Sequence, residues 1–373
     1  MAGESGIGTD PEQCARTQRD DPARLLIPAV TPGTHRHDVD GNEAIMTGNR
    51  AYGYTDTLDA EHYAQALRSD IRDGLARNPK STAPTWFYDA RGSDLFERIT
   101  QLPEYPLWRA ELGLLQSHAR DIAERTGARN LTELGSGSST KSKLLIEALG
   151  PVGLHYVPVD VSADALQQAG AQLVQDYPGI ILHALRADFT VPLVLPKLPD
   201  DNPRLIAFLG STLGNFRRPA RSPFLRGLRD IMQPEDFLLI GADLVKPEPE
   251  MITAYADAQG VTAEFDKHVL HVLNRELDAD FDVDFFDHVS VWNSVEQHIE
   301  MRLRSQVEQR VKIRELDLVV HFERGEEWIT ESSAKFTTAG LQAELAAVGL
   351  RTDQFWSDDD AGFALVLANR SMD

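Results

Sequence analysis

The residues with the clearest chemistry lie in "LTELGSGSSTKS", Leu131 to Ser142. An apolar run ends in Glu133-Leu134-Gly135-Ser136-Gly137, and a helical pattern opens just beyond it. Glycines at such a strand-to-helix turn let the backbone bend tightly and approach a ligand more closely than a Cβ permits. A lone Gly-x-Gly is common in α/β turns, so its weight depends on the neighbouring strand ends. Asp160 closes the next apolar run, about 25 residues on, where an acid accepts hydrogen bonds from both ribose hydroxyls. Asp188 and Phe189 close the run after that, suited to accept from an adenine amino group and to pack on its ring. Either aspartate alone could merely cap a turn. Together the three strand ends predict a crevice for an adenosine-bearing cofactor, at the edge where open α/β sheets bind ligands. A dinucleotide fingerprint needs a third glycine, but Thr140 stands there, followed by Lys141. S-adenosylmethionine (SAM), which has no pyrophosphate to seat on the helix N-terminus, suits this turn better than NAD.

These residues need a parallel sheet to hold them. From Glu111 to Val245 the runs "NLTEL", "HYVPVD", "IILHALRAD", "RLIAFLGS" and "DFLLIGADL" alternate with helical patterns, the order of right-handed βαβ units. A last helix near Ala339 to Val348, then "RTDQFWS" and "GFALVLANR", predicts a closing hairpin. Between these parts, two helical stretches (about Glu248 to Asp257 and Val261 to Leu277) precede "HIEMRLRSQ" and "RVKIRELDLVVHF", read as antiparallel strands. Upstream, Ala60, Tyr63, Leu67 and Ile71 recur at helical spacing from Asp59, and a further helix is expected at Ser93. The cluster Trp86, Phe87 and Tyr88 fits either a core or the roof of a pocket.

Residues 1–56 carry Gly, Pro, Asp and Arg with little periodicity and read as a disordered leader, with Met46 as an alternative start. The His35 to His37 tract reads as solvated tail, the His268/His271 pair as helix surface or core, and no metal is expected. A net charge of −21 with no lysine or arginine run argues against nucleic acid and anionic membranes as partners. The single cysteine, Cys14, rules out a disulfide framework. No apolar run reaches the roughly 20 residues of a membrane span and no signal peptide opens the chain, so a cytoplasmic location is expected. A monomer acting on a small molecule is expected as well.

Longer motifs carry a more specific signal. "KSTAPTWFYDARGSDLFERIT", "LPEY", "ELGSGSSTK", "FLGSTLGNF", "DLVK", "AYADAQGVTAEF", "NRELDADFD", "IEMRLR" and "TESSAKF" resemble the histidine-specific Nα-methyltransferase family of ergothioneine biosynthesis. The similarity runs from Thr57 to Arg370. It implies an α/β fold: a Rossmann-like SAM-dependent methyltransferase domain, residues 110–245 and 336–373. It also implies a second, α+β substrate-binding domain made from the N-terminal helices and an insertion, residues 57–109 and 246–335. The implied reaction is transfer of three methyl groups from SAM to the α-amino group of free L-histidine, giving the betaine hercynine. The alternatives are the same chemistry on another amino acid, or a reaction stopping at mono- or dimethyl-histidine.

By resemblance, the SAM contacts fall on Gly135, Lys141, Asp160, Asp188 and Phe189. The histidine contacts fall on Tyr105, Asn215, Tyr255, Glu331 and Ser333, while Tyr88, Phe96 and Met301 match positions lining the site. These types suit a histidine reader, since Glu331 and Ser333 offer acceptors to an imidazole N–H and Tyr105 can serve the other nitrogen. Asn215 and Tyr255 are neutral donors suited to the main-chain end of the substrate. Tyr88 is the candidate to contact the reacting amine. One departure stands out: after "LPEY" the family usually continues Tyr-Pro-Thr-Arg, and this chain has Pro106-Leu107-Trp108-Arg109. Proline fixes φ and removes a donor, so a different backbone path after Tyr105 is expected, with consequences for methylation extent or activity.

Overall fold

The structure is a computed structural model that describes residues 52–197 and 200–371. The chain begins with β1 (Tyr52–Asp56), α1 (Ala60–Leu75), β2 (Lys80–Ser81), α2 (Ala90–Thr100) and α3 (Leu107–Thr126). Asp59 caps α1 by accepting from the Glu61 and His62 N–H groups, and Asp89 caps α2 through Gly92. Next comes an alternating series: β3 (Asn130–Leu134), α4 (Ser142–Leu149), β4 (His155–Asp160), α5 (Ala163–Asp176) and β5 (Ile181–Arg186). It continues through β6 (Arg204–Phe208), α6 (Arg218–Ile231) and β7 (Phe237–Asp243). Then come α7 (Glu248–Thr253), α8 (Val261–Glu276), β8 (Phe286–Asn293), β9 (His298–Ser305), β10 (Gln309–Ile313), β11 (Leu318–Phe322) and β12 (Glu327–Ala334). The last elements are α9 (Thr338–Ala347), β13 (Leu350–Asp358) and β14 (Phe363–Arg370).

Eight strands form the main sheet in the order β1-β5-β4-β3-β6-β7-β14-β13. Strands β1 and β3 to β7 are parallel, whereas β14 lies antiparallel between β7 and β13. Both faces are covered, so strands such as β6 are buried throughout. Leu205 and Ala207 pack toward the cluster containing α3, α4 and α5, while Ile206 and Phe208 pack toward α6 and α9. The order reverses between β3 and β6. In a doubly wound, Rossmann-like sheet this is the switch point, and the carboxyl ends of β3 to β6 open a crevice there.

A four-stranded sheet, β2-β12-β9-β8, and the β10-β11 hairpin make up the inserted region. Here the pairing differs from expectation. "HIEMRLRSQ" (β9) lies between β8 and β12, and "RVKIRELDLVVHF" is itself a hairpin, not one strand. Arg314 to Leu316 form a 3-10 turn and Asp317 takes φ +46°, which reverses the chain. Strand β12 was hidden because nearly every residue in it is buried, which erases alternation.

Order does not wait for residue 57: Tyr52–Asp56, expected within the leader, is the parallel edge strand beside β5. Gly53 permits that pairing, because a Cβ there would come within 2.6 Å of the His183 ring. The rest of the leader, with Met46 and the His35 to His37 tract, lies outside the described residues. Pro106, where the expected change of path would begin, directly precedes α3. It takes the N-cap position of α3 at φ −76°, ψ −16°, where the missing N–H leaves no intrahelical bond unmade. Among the described residues, no helix is long and apolar enough to cross a membrane.

Candidate active site

The turn after β3 has the backbone its glycines foretold: Gly135 and Gly137 sit at φ +70° and +48°. A Cβ on Gly135 would lie 3.6 Å from the Phe189 ring, so glycine keeps open the slot between loop and aromatic wall. Asp160 ends β4, with one carboxylate oxygen accepting from Gly137 N–H and the other from Ser162 N–H, both at 2.9 Å. Burial raises its pKa against those two stabilising bonds. Asp188 Oδ1 accepts from the Thr190 N–H and hydroxyl, at 2.8 and 2.6 Å, leaving Oδ2 for a ligand. Beneath the turn, buried Glu133 accepts from Tyr156 and Ser142, tying α4 to β3, and burial pushes its carboxyl up to about 7. This glycine slot, flanked by an aromatic ring and a strand-end carboxylate, fits the adenosyl part of SAM.

Lys141 stands at the N-cap of α4. Its ammonium is ion-paired with Glu111 of α3, whose side chain is only 1% exposed. Glu111 also accepts from Gly210 N–H, at 2.8 and 2.9 Å, at the end of β6. Gly241 must lack a side chain for this, since a Cβ would sit 1.8 Å from Glu111 Oε1. The sequence reading missed Glu111, although a signal was present: it occupies the apolar stripe of α3 with Leu107, Ala110, Leu114 and Leu115.

Next to this crevice lies a cavity lined by all eight residues assigned to substrate contact or catalysis: Tyr88, Phe96, Tyr105, Asn215, Tyr255, Met301, Glu331 and Ser333. They come from widely separated elements. Asn215 ends a 3-10 turn after β6, and that turn packs on β12 because Gly214 has no Cβ to meet the Ala334 carbonyl, 2.8 Å away. Glu331 and Ser333 lie two apart on β12 and so share a face, with Met301 opposite Glu331 in register. A bulge between Ile329 and Glu331 sets that facing. Tyr88, Phe96 and Phe265 close the cavity with ring contacts of 5.8 to 6.1 Å, and Tyr105 meets Tyr255 edge-on at 6.0 Å. The aromatic cluster is thus divided: Trp86 and Phe87 belong to the core, and Tyr88 faces the cavity.

The electrostatics of the cavity centre on Glu331. It is buried, with no hydrogen bond to its carboxyl among the described residues, and burial, then the nearby Asp266 charge, push that carboxyl up to about 8 against the pull of Lys335. Burial likewise holds the Tyr88, Tyr105 and Tyr255 phenols well above their ordinary value. Behind the wall, His288 lies between two acceptors, Asp266 Oδ2 at 2.7 Å and the Tyr255 carbonyl at 2.8 Å. Both ring nitrogens must carry hydrogen to satisfy them. Burial alone would lower the His288 pKa, but the Asp266 hydrogen bond and charge hold it above the usual range. Lys335, quoted within "TESSAKF" but given no role there, contacts both Tyr255 and Ser333. His268 bonds to Asp89 at 2.7 Å, bracing the α2 cap.

Comparison with known proteins agrees with this geometry. The profile of a family described as "Histidine-specific methyltransferase, SAM-dependent" matches residues 67–370. The chain is 48% identical over 315 residues to a histidine N-alpha-methyltransferase of Mycolicibacterium smegmatis, covering 84% of this chain and 98% of the relative. It is 46% identical over 312 residues to the protein of that name from Mycobacterium tuberculosis, covering 83% and 96%. It is 36% identical over 193 residues to ergothioneine biosynthesis protein 1 of Neurospora crassa, covering 50% of this chain and 22% of that longer protein. With a match spanning most of its length, the chain belongs to the histidine-specific, SAM-dependent methyltransferase family and takes its methyl groups from SAM.

Proposed function

We propose that this enzyme trimethylates the α-amino group of free L-histidine, giving hercynine for ergothioneine biosynthesis. Glu331 carries the reading: a buried carboxyl without a hydrogen-bond partner among the described residues, beside Ser333 on one strand face, calls for a ligand with a polar ring. A site with unpaired buried polar groups penalises apolar rings, which leave those groups unsatisfied. The names of the relatives from Mycolicibacterium smegmatis and Neurospora crassa support the substrate and the pathway. We assign substrate binding to residues 57–109 and 246–335, which supply seven of the eight assigned cavity residues, Asn215 being the exception.

SAM supplies an electrophilic methyl group on a sulfonium. The residues of this chain align a neutral amine with it and exclude water. Asn215 and Tyr255 hold the main-chain end of histidine, and Tyr88, Phe96 and Phe265 close over it. Tyr88 stays a neutral phenol, because burial raises its pKa, and so orients the amine as a hydrogen-bond partner. The amine loses its proton to water or through this tyrosine before each transfer. After the third transfer no lone pair remains, which ends the series. Mass spectrometry of the full chain incubated with SAM and each amino acid tests the reading. Histidine bearing three added methyl groups is expected; trimethylation of another amino acid, or a product halted at one or two methyl groups, overturns it.

A further inference from the structure

The hydrogen-bond direction of Ser333 is dictated from behind the cavity wall. Lys335 is fully buried, with Nζ 2.7 Å from Tyr255 Oη and 3.0 Å from Ser333 Oγ. An ammonium has three hydrogens and no acceptor, so both hydroxyl oxygens must accept from it. Those two hydroxyls also meet each other at 2.8 Å, where one has to donate. A phenol, with a pKa of about 10, is a stronger acid than an alkyl hydroxyl, so Tyr255 donates and Ser333 accepts. Ser333 Oγ thus accepts twice, and its remaining capacity is its own hydrogen, which can only be offered to the cavity. Asp243 Oδ2, 2.8 Å from Nζ, balances the buried charge without hydrogen-bond alignment, and Lys246 shares the same carboxylate.

We propose that Lys335 is a positioning residue: by holding Tyr255 and Ser333 as acceptors, it makes Ser333 an obligate donor that selects a ring nitrogen bearing no hydrogen. This rests on the proposed histidine specificity and adds to it the charge state and tautomer of the bound ring. A neutral imidazole has one N–H and one bare nitrogen. The Glu331 carboxylate takes the first and the Ser333 hydrogen satisfies the second. An imidazolium would set an N–H against that hydrogen. A pyrrole ring with C–H in place of the bare nitrogen would leave it without an acceptor. The lysine therefore acts on specificity through Ser333 without touching the substrate.

The test is a double-mutant cycle in the full chain, using Lys335→Met, Ser333→Ala and the double variant. Steady-state kinetics are read on histidine and on an alanine derivative bearing that pyrrole ring. Each single variant should raise the histidine KM about tenfold, the worth of one hydrogen bond, with little change in kcat, and erase most of the preference for imidazole. The double variant should be no worse than either single one, because both remove the same interaction. Unchanged SAM affinity checks the fold. Should Lys335→Met not fold, Lys335→Met with Asp243→Asn also removes the carboxylate left unbalanced, Lys246 keeping its bonds to the Ala361 and Gly362 carbonyls, and is read in the same cycle. Additive effects, or an equal KM rise for both rings, overturn the role of Lys335 while leaving the histidine reading intact. A histidine KM indifferent to both Ser333→Ala and Glu331→Ala overturns the histidine reading and the Lys335 role with it.

Discussion

At the cofactor end of the site, Asp160 already receives the N–H groups of Gly137 and Ser162, Asp188 those of Thr190, and Lys141 is held by Glu111. At the proposed substrate end, Glu331 is buried with no hydrogen bond to its carboxyl among the described residues. The first arrangement is a rigid cradle whose polar groups are largely satisfied before any ligand arrives, so it recognises shape and a few remaining lone pairs. The second keeps an unsatisfied group in reserve, which costs stability in the empty protein and is relieved only by a ligand with the matching N–H. On the proposed assignment, affinity for the common cofactor and choice of substrate are thereby separated.

The severest test of this separation is Glu111→Ala, because Glu111 joins the cradle to the end of β6 near the cavity. Its loss leaves the Lys141 ammonium and the Gly210 N–H unpaired, a cost of about 3–5 kcal/mol for breaking a buried pair. A marked fall in Tm with weakened SAM binding is expected, and an unchanged Tm would show the two ends to be independent of this link. Glu331→Ala should lower histidine kcat/KM by about 10²-fold or more, the worth of a charge-assisted bond, and leave SAM affinity unaltered. Tryptophan should gain relative activity, because the buried carboxyl that disfavours an apolar ring is gone. Calorimetry and kinetics on both amino acids check this, and an unaltered histidine kcat/KM would refute it.

Asp160→Ala reverses the pattern. SAM binding should weaken by about 1.5–3 kcal/mol, while the preference for histidine over tryptophan stays as it was. A shift in that preference would break the proposed division.

The mildest effect is one of pH. A carboxyl whose folded pKa is raised from 4.5 to about 8 keeps a proton that the unfolded chain releases, so the Glu331 contribution to stability falls as pH rises across that window. Histidine binding runs the other way, since accepting an N–H requires the carboxylate. KM should drop by about tenfold per pH unit on approaching 8 from below, down to the point near 6.5 where free imidazole itself protonates. Glu331→Gln should flatten that limb while retaining any dependence due to the amine, and the difference between the two profiles isolates the carboxyl. A limb that survives in Glu331→Gln would assign it elsewhere.

How legible these regions are depends on how they are built. The Gly135 turn, Asp160 and Asp188 lie at the ends of β3, β4 and β5, so each can be found by reading outward from one strand. The Asp59 and Ser162 caps are legible for the same reason. Strand β1 escaped notice because "YGYTD" is short and only half-buried, and it gains its partner β5 from well downstream. The pairing of β9 was misjudged because a hairpin inside "RVKIRELDLVVHF" and a fully buried β12 both lack the alternation that reveals a strand. Glu331 and Ser333 carry no chemical sign of their own; only the resemblance of "TESSAKF" singled them out.

The sequence by itself therefore determined the succession of strands from β3 to β7, the Gly135 turn and the family, since these depend on neighbours within one strand and the turn after it. Tertiary structure alone decided the geometry of the cavity. Tyr255 and Ser333 are 78 positions apart and meet because Gly214 lets the β6 turn rest on β12 and the Ile329/Glu331 bulge aims that strand. A raised carboxyl pKa, or a serine left with only a hydrogen to offer, is a property of burial and of every group around it. Such properties have no local signature, because desolvation and hydrogen-bond direction exist only once distant segments have closed water out.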